Sequence, residues 1–160
     1  MLKLPDLILF GGDWEQYENI LYDYFKEDFI INRPKEFRGL RIGLKKYPTF
    51  KDKEATFWHF ITEGKDELKR APDFRRCERI RWPKPIIENN TADEIKVWEN
   101  TRNSKTNICL CYGDWEYLVV LRKLKNYVLP WTAYYPYTEH TKLRWKKEYE
   151  KFCKNANTAQ

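Results

Sequence analysis

Hydrophobic residues recur at helical spacing in the first part of the chain. Asp13 followed by Gln16 resembles a capping box, in which a side chain accepts a hydrogen bond from the first turn of a helix. Apolar side chains then follow at intervals of three or four residues or side by side: Trp14, Tyr17, Leu21, Tyr24 and Phe25. This pattern predicts an amphipathic helix over residues 13–28.

Proline and glycine divide the middle of the chain into shorter segments. "LRIGLKKYP" (residues 40–48) is typical of a strand that Gly43 interrupts. "ATFWHFIT" (55–62) is rich in β-branched and aromatic residues, which favours a strand, although a short buried helix has the same composition. "PDFRRCERIRW" (72–82) predicts a helix that ends at Pro83, because proline has no N–H for the helical hydrogen-bond ladder. "PIIENNTADE" predicts a further turn or short helix.

The second half of the chain is typical of an antiparallel meander. Four strand-like segments follow one another: "IKVWENTR", "TNICLCY", "WEYLVVLRKL" and "YVLPWTAYYP". Gly113-Asp114 predicts a two-residue hairpin between the second and the third. The continuous apolar run "YLVVL" predicts a central strand covered on both faces. Pro130 favours an edge strand or a bulge, because a central strand would need its N–H.

The last segment, "TEHTKLRWKKEYEKFC", predicts a basic helix. The predicted fold class is therefore α+β, with N-terminal helices, a curved four-stranded antiparallel sheet and a C-terminal helix. A chain of 160 residues that is 42% apolar has the size of one domain with its own core. We predict a single domain over 1–160, which consists of an acidic helical segment at 1–32 and a main body at 37–155.

The charge of the chain is unevenly distributed. Residues 1–32 contain two basic and seven acidic residues, whereas residues 33–160 contain 28 basic and 17 acidic residues. A basic body attracts polyanions, of which nucleic-acid backbones are the commonest. The alternative is that these lysines and arginines are ordinary solvated surface residues. The acidic segment is expected to cover and shield this basic body, unless its helix belongs to the core.

Several classes of protein lack support in the sequence. No apolar run is long enough to cross a membrane, and the N-terminal residues do not resemble a signal peptide. The four cysteines lack the spacing of a disulfide framework, so we expect a cytoplasmic protein. Cys109 and Cys111 would share one face of a strand, but no Cys/His pair follows at zinc-ligand spacing. The expectation is no metal, no cofactor and no membrane partner.

His59 is the first candidate for chemistry. An imidazole titrates near neutral pH and can move a proton in either direction, and Thr62 lies close enough in sequence to orient it. The alternative is a hydrogen-bonded core histidine. In a strand, His59 would share a face with Phe57 and Ile61, which favours that alternative.

Four arginines in one predicted helix are the second candidate: Arg75, Arg76, Arg79 and Arg81. The guanidinium fork of donors matches the oxygens of a phosphate and stays charged. The same spacing also fits a solvated helix face, with Asp73 and Glu78 as partners.

Thr132 and Tyr134 are the third candidate. In an extended segment they lie on the same face, where a hydroxyl and a phenol suit a phosphate or a 2′-hydroxyl. The pair fits the stabilisation of an edge strand equally well. Aromatic neighbours such as Trp58, Trp131 and Tyr135 could stack on unpaired bases or belong to the core.

Taken together and in order, four segments resemble phage-associated nuclease-like proteins of the barnase–EndoU–colicin–RelE group: "TFWHFITEG", "RRCERIRWPKPIIEN", "VWENTR" and "EYLVVLRKLKNYVLPWTAYYP". The resemblance covers residues 37–155. The group implies a compact α+β ribonuclease fold, with helices before a four-stranded antiparallel sheet. Many of its members cleave RNA without a metal ion, as toxins or in conflicts between bacteria and phages.

The resemblance implies a metal-independent endoribonuclease, in which a 2′-hydroxyl attacks the adjacent phosphorus. The resemblance also implies two partners, RNA as the substrate and an inhibitor or immunity protein. The matching positions imply a catalytic set of His59, Arg79, Arg81, Thr132 and Tyr134, and substrate contacts from Arg75, Arg76, Thr62, Trp131 and Tyr135. No second histidine falls in a matching motif, so the general acid has no assigned residue. The alternatives are a non-catalytic nucleic-acid-binding module on the same fold and a structural phage protein that contacts other proteins.

Overall fold

The computed structural model describes residues 1–158. In chain order the elements are α1 (Trp14–Phe25), a π-helix (Lys26–Ile31), β1 (Glu36–Phe37), β2 (Leu40–Ile42), α2 (Ala55–Ile61), β3 (Thr62–Glu63), β4 (Ala71–Pro72), α3 (Phe74–Glu78), α4 (Pro83–Glu88), β5 (Ile95–Arg102), β6 (Lys105–Tyr112), β7 (Tyr117–Lys123), β8 (Tyr127–Tyr134) and α5 (Glu139–Thr158). None of the helices within these residues has the length and apolar content needed to cross a bilayer.

The predicted N-terminal helix is confirmed, and it continues as a π-helix. The Asp13 carboxylate caps α1 by accepting a hydrogen bond of 3.1 Å from the Gln16 N–H. The apolar side of α1 and the π-helix then buries four side chains completely or nearly so: Tyr17, Leu21, Phe25 and Phe29. The N-terminal segment is therefore core and not a detachable cover over the basic body.

The α+β class is confirmed, but the sheet has six strands rather than four. The antiparallel meander β5–β6–β7–β8 is present as predicted. It is extended by β2, which pairs in parallel with β8 through Arg41 opposite Tyr127, and β1 then forms the edge beyond β2. The result is a curled mixed sheet. The strand predicted within residues 40–48 is present as β2, but its place in the sheet was not predicted, and β1 was missed because it has only two residues.

The predicted hairpin needs correction. The predicted two-residue hairpin at Gly113-Asp114 is a four-residue connection, because Trp115 turns back with a φ of 59° and is buried beside α5. The tight hairpin lies one connection earlier. Asn103 and Ser104 both have positive φ and join Arg102 to its partner Lys105, as in a type I′ turn.

Pro130 lies at a bulge, as one of the two alternatives predicted. The pairing of β7 with β8 slips between Val120 and Leu121, which leaves Trp131 without a partner. Because β8 pairs with β7 on one side and with β2 on the other, it is not an edge strand.

The strand predicted at "ATFWHFIT" is wrong: these residues form α2, followed by the short β3. Six of its seven side chains are buried, so no alternation of polar and apolar positions distinguishes a helix from a strand. The predicted helix over 72–82 is shortened to α3. Pro83 does not end it but begins α4, at a position where a helix needs no N–H from its first residue.

The sheet separates two hydrophobic clusters. On one face, α1, the π-helix and α2 pack against side chains that include Val119, Leu121 and Ala133. On the other face, α5 places Trp145 against a smaller cluster from the alternate positions of the same strands, among them Trp98 and Val120. The second face is only partly covered, and the uncovered part contains the candidate site.

Candidate functional site

A cleft of about 370 Å³ opens on the face of the sheet that carries α5. Its floor is formed by β5–β8 and one wall by α5. The side chains that line it are mainly cationic, amide and aromatic: Arg102, Arg122, Arg144, Asn100, Asn107, Trp131, Tyr134, Tyr135 and Tyr137. Such a surface offers hydrogen-bond donors and positive charge to a ligand that enters from solvent.

The strand register brings the polar floor of the cleft together. Asn100 of β5 lies opposite Asn107 of β6, which lies opposite Arg122 of β7. Residues in register point to the same face of a sheet, so the three side chains form a row. The tight turn at 103–104 sets this alignment, because a shift by one residue would turn Asn100 to the other face.

A chain of hydrogen bonds connects this row to α5. The Arg122 Nε donates to Asn107 Oδ1 at 2.9 Å, and Asn107 Nδ2 donates to Asn100 Oδ1 at 3.2 Å. Asn100 Nδ2 then donates to Glu148 Oε1 at 2.7 Å. The side-chain oxygens of both asparagines accept a hydrogen bond within this network. The network therefore holds the Arg122 guanidinium in one orientation.

Glu148 is the acidic end of this network. Burial by itself would raise the pKa of its carboxyl. Hydrogen bonds from Asn100, from the Trp98 indole N–H at 2.7 Å and from Arg102 at 3.0 Å outweigh burial and hold the pKa below its ordinary value. Glu148 is therefore an anion that organises the cleft, and it is a poor proton acceptor at neutral pH.

Arg122 is the cation on the floor of the cleft that has no acid beside it. Its guanidinium carbon lies 4.0 Å from the centre of the Trp131 ring, and within residues 1–158 no carboxylate lies within salt-bridge distance of it. Partial burial lowers the pKa of Arg122, as expected for a charge with no counter-ion. Its Nε is engaged by Asn107, and its two terminal nitrogens have no protein acceptor among the described residues.

Trp131 holds cations rather than offering a free face. The Lys45 ammonium lies 4.1 Å from the centre of the same ring that Arg122 covers. Both contacts are cation–π interactions, which are strongest on tryptophan. This geometry favours a role of Trp131 in positioning Lys45 and Arg122, rather than the predicted stacking on an RNA base.

Thr132 and Tyr134 lie on the cleft side of β8, as their spacing predicts. Thr132 is buried, and its hydroxyl donates to the His59 carbonyl oxygen at 3.1 Å. Tyr134 is 40% exposed, and the Arg76 guanidinium lies 4.8 Å from the centre of its ring. Tyr135 also lines the cleft, where its ring contacts Tyr137 edge-on.

The imidazole of His59 is not among the side chains that line the cleft. Its Nε2 forms a hydrogen bond of 2.8 Å with Glu67 Oε1. Burial is the main cause that lowers the pKa of His59, Arg70 lowers it further, and Glu67 opposes both. The ring is therefore neutral at pH 7. The structure connects His59 to Thr132 through the main chain only.

Thr62 does not orient the His59 ring. It is buried at the end of α2, where its hydroxyl donates to the Trp58 carbonyl oxygen. The same hydroxyl accepts a hydrogen bond of 2.8 Å from Arg70 Nε, and the Arg70 terminal nitrogens donate to the carbonyls of Thr62 and Gly64. Thr62 thus stabilises the local chain reversal.

The predicted arginine cluster is dispersed by the fold. Arg75 is exposed and pairs with Glu78 at 2.7 Å. Arg79 lies between aromatic rings, 4.6 Å from the centre of Tyr135 and 5.0 Å from that of Trp82. Arg81 turns to the N-terminal segment instead, where it pairs with Asp28 at 2.9 Å. As α3 is only five residues long, the four positions do not share a helical face.

Arg76 is a buried structural cation. It forms an ion pair of 3.3 Å with Asp73 and donates to the Thr62 carbonyl oxygen at 2.6 Å. Asp73 in turn caps α3 by accepting from two backbone N–H groups, and it accepts the Tyr137 hydroxyl. This Asp73–Arg76 unit connects α3 and the end of α2 to the aromatic wall of the cleft.

The buried cysteines offer no reactive thiolate. Cys109 and Cys111 share the α5-side face of β6, as predicted, and burial raises the pKa of each thiol to about 12. No three His, Cys, Asp or Glu side chains are grouped as metal ligands in the part of the chain that the structure describes.

Among the cleft residues that the sequence analysis missed are Tyr137 and the charged and amide side chains: Asn100, Arg102, Asn107, Arg122, Arg144 and Glu148. A signal for part of this set was present. Asn100, Asn107 and Arg122 interrupt otherwise apolar alternating positions, and the turn at Asn103-Ser104 sets the pairing of the first two. The contribution of α5 had no such signal, because nothing in its own periodicity shows which strands it crosses.

Comparison with protein-family models, with curated proteins and with solved structures finds no match for the chain. The resemblance to the barnase–EndoU–colicin–RelE group therefore stays a prediction.

Proposed function

We propose that the protein binds single-stranded RNA in the cleft, through the phosphate groups of the strand. Three arginines face one concave surface, and cationic grooves with aromatic side chains are typical of proteins that bind unpaired strands. The three tyrosines of the wall can stack on unpaired bases, because an aromatic face accepts any base. The cleft volume of about 370 Å³ is sufficient for an unpaired nucleotide.

The state of Arg122 is the observation that carries this proposal. A guanidinium that is partly removed from water without a carboxylate partner is unfavourable unless a ligand supplies the charge. Asn107 and Trp131 fix its position, so its two terminal nitrogens are free to bind two phosphate oxygens. Arg144 lines the same cleft and adds positive charge around it, whereas the charge of Arg102 is paired with Glu148 at 3.0 Å.

Substitution of Arg122 tests the binding site. We expect Arg122→Gln to weaken binding of a fluorescent single-stranded RNA about tenfold or more, because a hydrogen bond to a charged group contributes about 1.5–3 kcal/mol. Anisotropy titrations at several salt concentrations should also show a slope lower by about 0.7 for the lost phosphate contact. Arg33→Gln, which removes a charge away from the cleft, is the matched control.

Two results would contradict the proposal. Equal affinities of wild type and Arg122→Gln would show that the strand binds elsewhere. No binding by the wild-type protein at low salt would favour the alternative of a structural protein that contacts other proteins.

Cleavage of the bound RNA is a second candidate function, favoured by the position of Thr132 and Tyr134. Both lie in the cleft with Arg122, so a phosphate held by Arg122 would be within their neighbourhood. In metal-independent cleavage, a base removes the 2′-hydroxyl proton and the oxygen attacks the adjacent phosphorus. The 5′-oxygen leaves with a proton, and cations stabilise the charge that develops. The Tyr134 hydroxyl lines the cleft and can supply the proton to the leaving oxygen, whereas the His59 imidazole lies outside the cleft and is not assigned a part in this step.

Cleavage is measured on the same labelled RNA, with a chelator present. We expect the wild-type protein to produce fragments that end in 2′,3′-cyclic phosphates. Tyr134→Phe should slow their formation, whereas His59→Gln and His140→Gln, whose rings do not line the cleft, should not. Full-rate cleavage by Tyr134→Phe would exclude this residue from the chemistry. Tight binding without fragments would leave the non-catalytic binding module.

A further inference from the structure

One side of α5 has a stripe of four cations that begins at the cleft and extends beyond it. Arg144, Lys147, Lys151 and Lys154 follow at intervals of three and four residues, so they lie along one side of the helix. All four are exposed, and none forms a salt bridge within residues 1–158. The opposite side of the helix, which includes Trp145 and Tyr149, packs on the sheet.

The stripe is continuous with the cleft through Arg144. This residue lines the cleft together with Thr141 and Glu148 of the same helix, and the three lysines extend from it towards the end of α5. At a rise of ~1.5 Å per residue, the stripe is about 15 Å long. At ~3.4 Å per stacked nucleotide, it matches about four nucleotides of a strand.

We propose that an RNA strand held in the cleft continues along this stripe of α5, which contacts its phosphates. The inference rests on the proposed RNA binding of the cleft and defines the substrate as a strand longer than the cleft itself. The partner is a linear polyanion because the cations are evenly spaced and begin at a cationic cleft. The three acids of α5 leave the stripe with a net positive charge: Glu148 is bonded inside the cleft, Glu139 lies 3.7 Å from Lys142, and the exposed Glu150 forms no ion pair with the stripe within residues 1–158.

The test compares two RNAs and three triple variants. A short RNA of about four nucleotides occupies the cleft alone, whereas one of about twelve also reaches the stripe. Lys147→Gln, Lys151→Gln and Lys154→Gln together should weaken binding of the long RNA about tenfold or more and reduce the salt slope by about 2, with little effect on the short RNA. The corresponding Lys→Arg triple should bind both like the wild type.

A matched control variant loses the same net charge at positions away from α5. Lys3→Gln, Lys35→Gln and Lys46→Gln together remove three exposed lysines outside the cleft and α5. If this control weakens the long RNA as much as the α5 triple does, only net charge matters and the stripe has no role. Equal binding of the long RNA by wild type and the α5 triple also overturns the inference. In that case, binding of the short RNA that Arg122→Gln weakens would still support the cleft, whereas no binding of either RNA by the wild type overturns both proposals.

Discussion

Deletion of residues 1–32 is expected to leave a chain without a cooperative unfolding transition. The deleted part contains Tyr17, Leu21, Phe25 and Phe29, whose side chains are almost fully buried against α2 and the sheet. Burial of one such side chain contributes about 1.5–3 kcal/mol to the free energy of unfolding. Loss of all four would remove most or all of the ~5–15 kcal/mol by which a domain is stable. Thermal melts followed by far-UV and near-UV circular dichroism measure the result.

The single substitution Phe25→Ala tests the same interface with the chain intact. We expect a loss of about 3–5 kcal/mol in the free energy of unfolding, because a large cavity opens between Phe29, Phe57 and Phe60. Ile20→Ala, on the exposed side of α1, is the control and should change little. A deletion variant that melts cooperatively and binds RNA more tightly would instead restore the idea of an acidic segment that shields the basic body.

Asp73→Ala is expected to lower the free energy of unfolding by about 3–5 kcal/mol. The carboxylate is buried, and its removal leaves the Arg76 guanidinium as a buried charge without its counter-ion. The same change removes the cap of α3, where Asp73 accepts from the N–H groups of Arg75 and Arg76 at 3.1 and 3.2 Å. Urea denaturation at pH 7 measures the loss.

Two variants separate the effects at this position. Asp73→Asn keeps an oxygen for the cap but not the charge, so it should lose less stability than Asp73→Ala. Asp93→Ala removes an exposed carboxylate from the connection before β5 and should be close to wild type. A change for Asp73→Ala as small as that for Asp93→Ala would show that Arg76 finds another partner and that the unit does not hold the cleft wall.

Local signals in the sequence are sufficient for the elements that have one polar and one apolar side. Helix α1 follows from its apolar spacing and the cap at Asp13, and α5 from its length and charge. Strands β5–β8 follow from β-branched and aromatic runs separated by turn residues. The proximity of Thr132 and Tyr134 on one face follows from the period of two in β8. In these elements the order of polar and apolar residues along the chain is a local signal of secondary structure.

Other features depend on contacts between residues far apart in the chain. The helix α2 is enclosed on nearly all sides, so its residues lack the polar–apolar contrast that identifies a helix, and packing against β8 selects its form. The arginines of 75–81 separate because Arg75 and Arg76 pair with Glu78 and Asp73 at α3 itself, whereas Arg81 pairs with Asp28 of the distant π-helix. Arg122 differs from them in having no acid within reach, and that environment arises from the register of three strands and the crossing of α5. Sequence spacing specifies which side of its own element a residue occupies. Which partners it meets there depends on how the elements pack, since charge pairing and burial act between surfaces rather than along the chain.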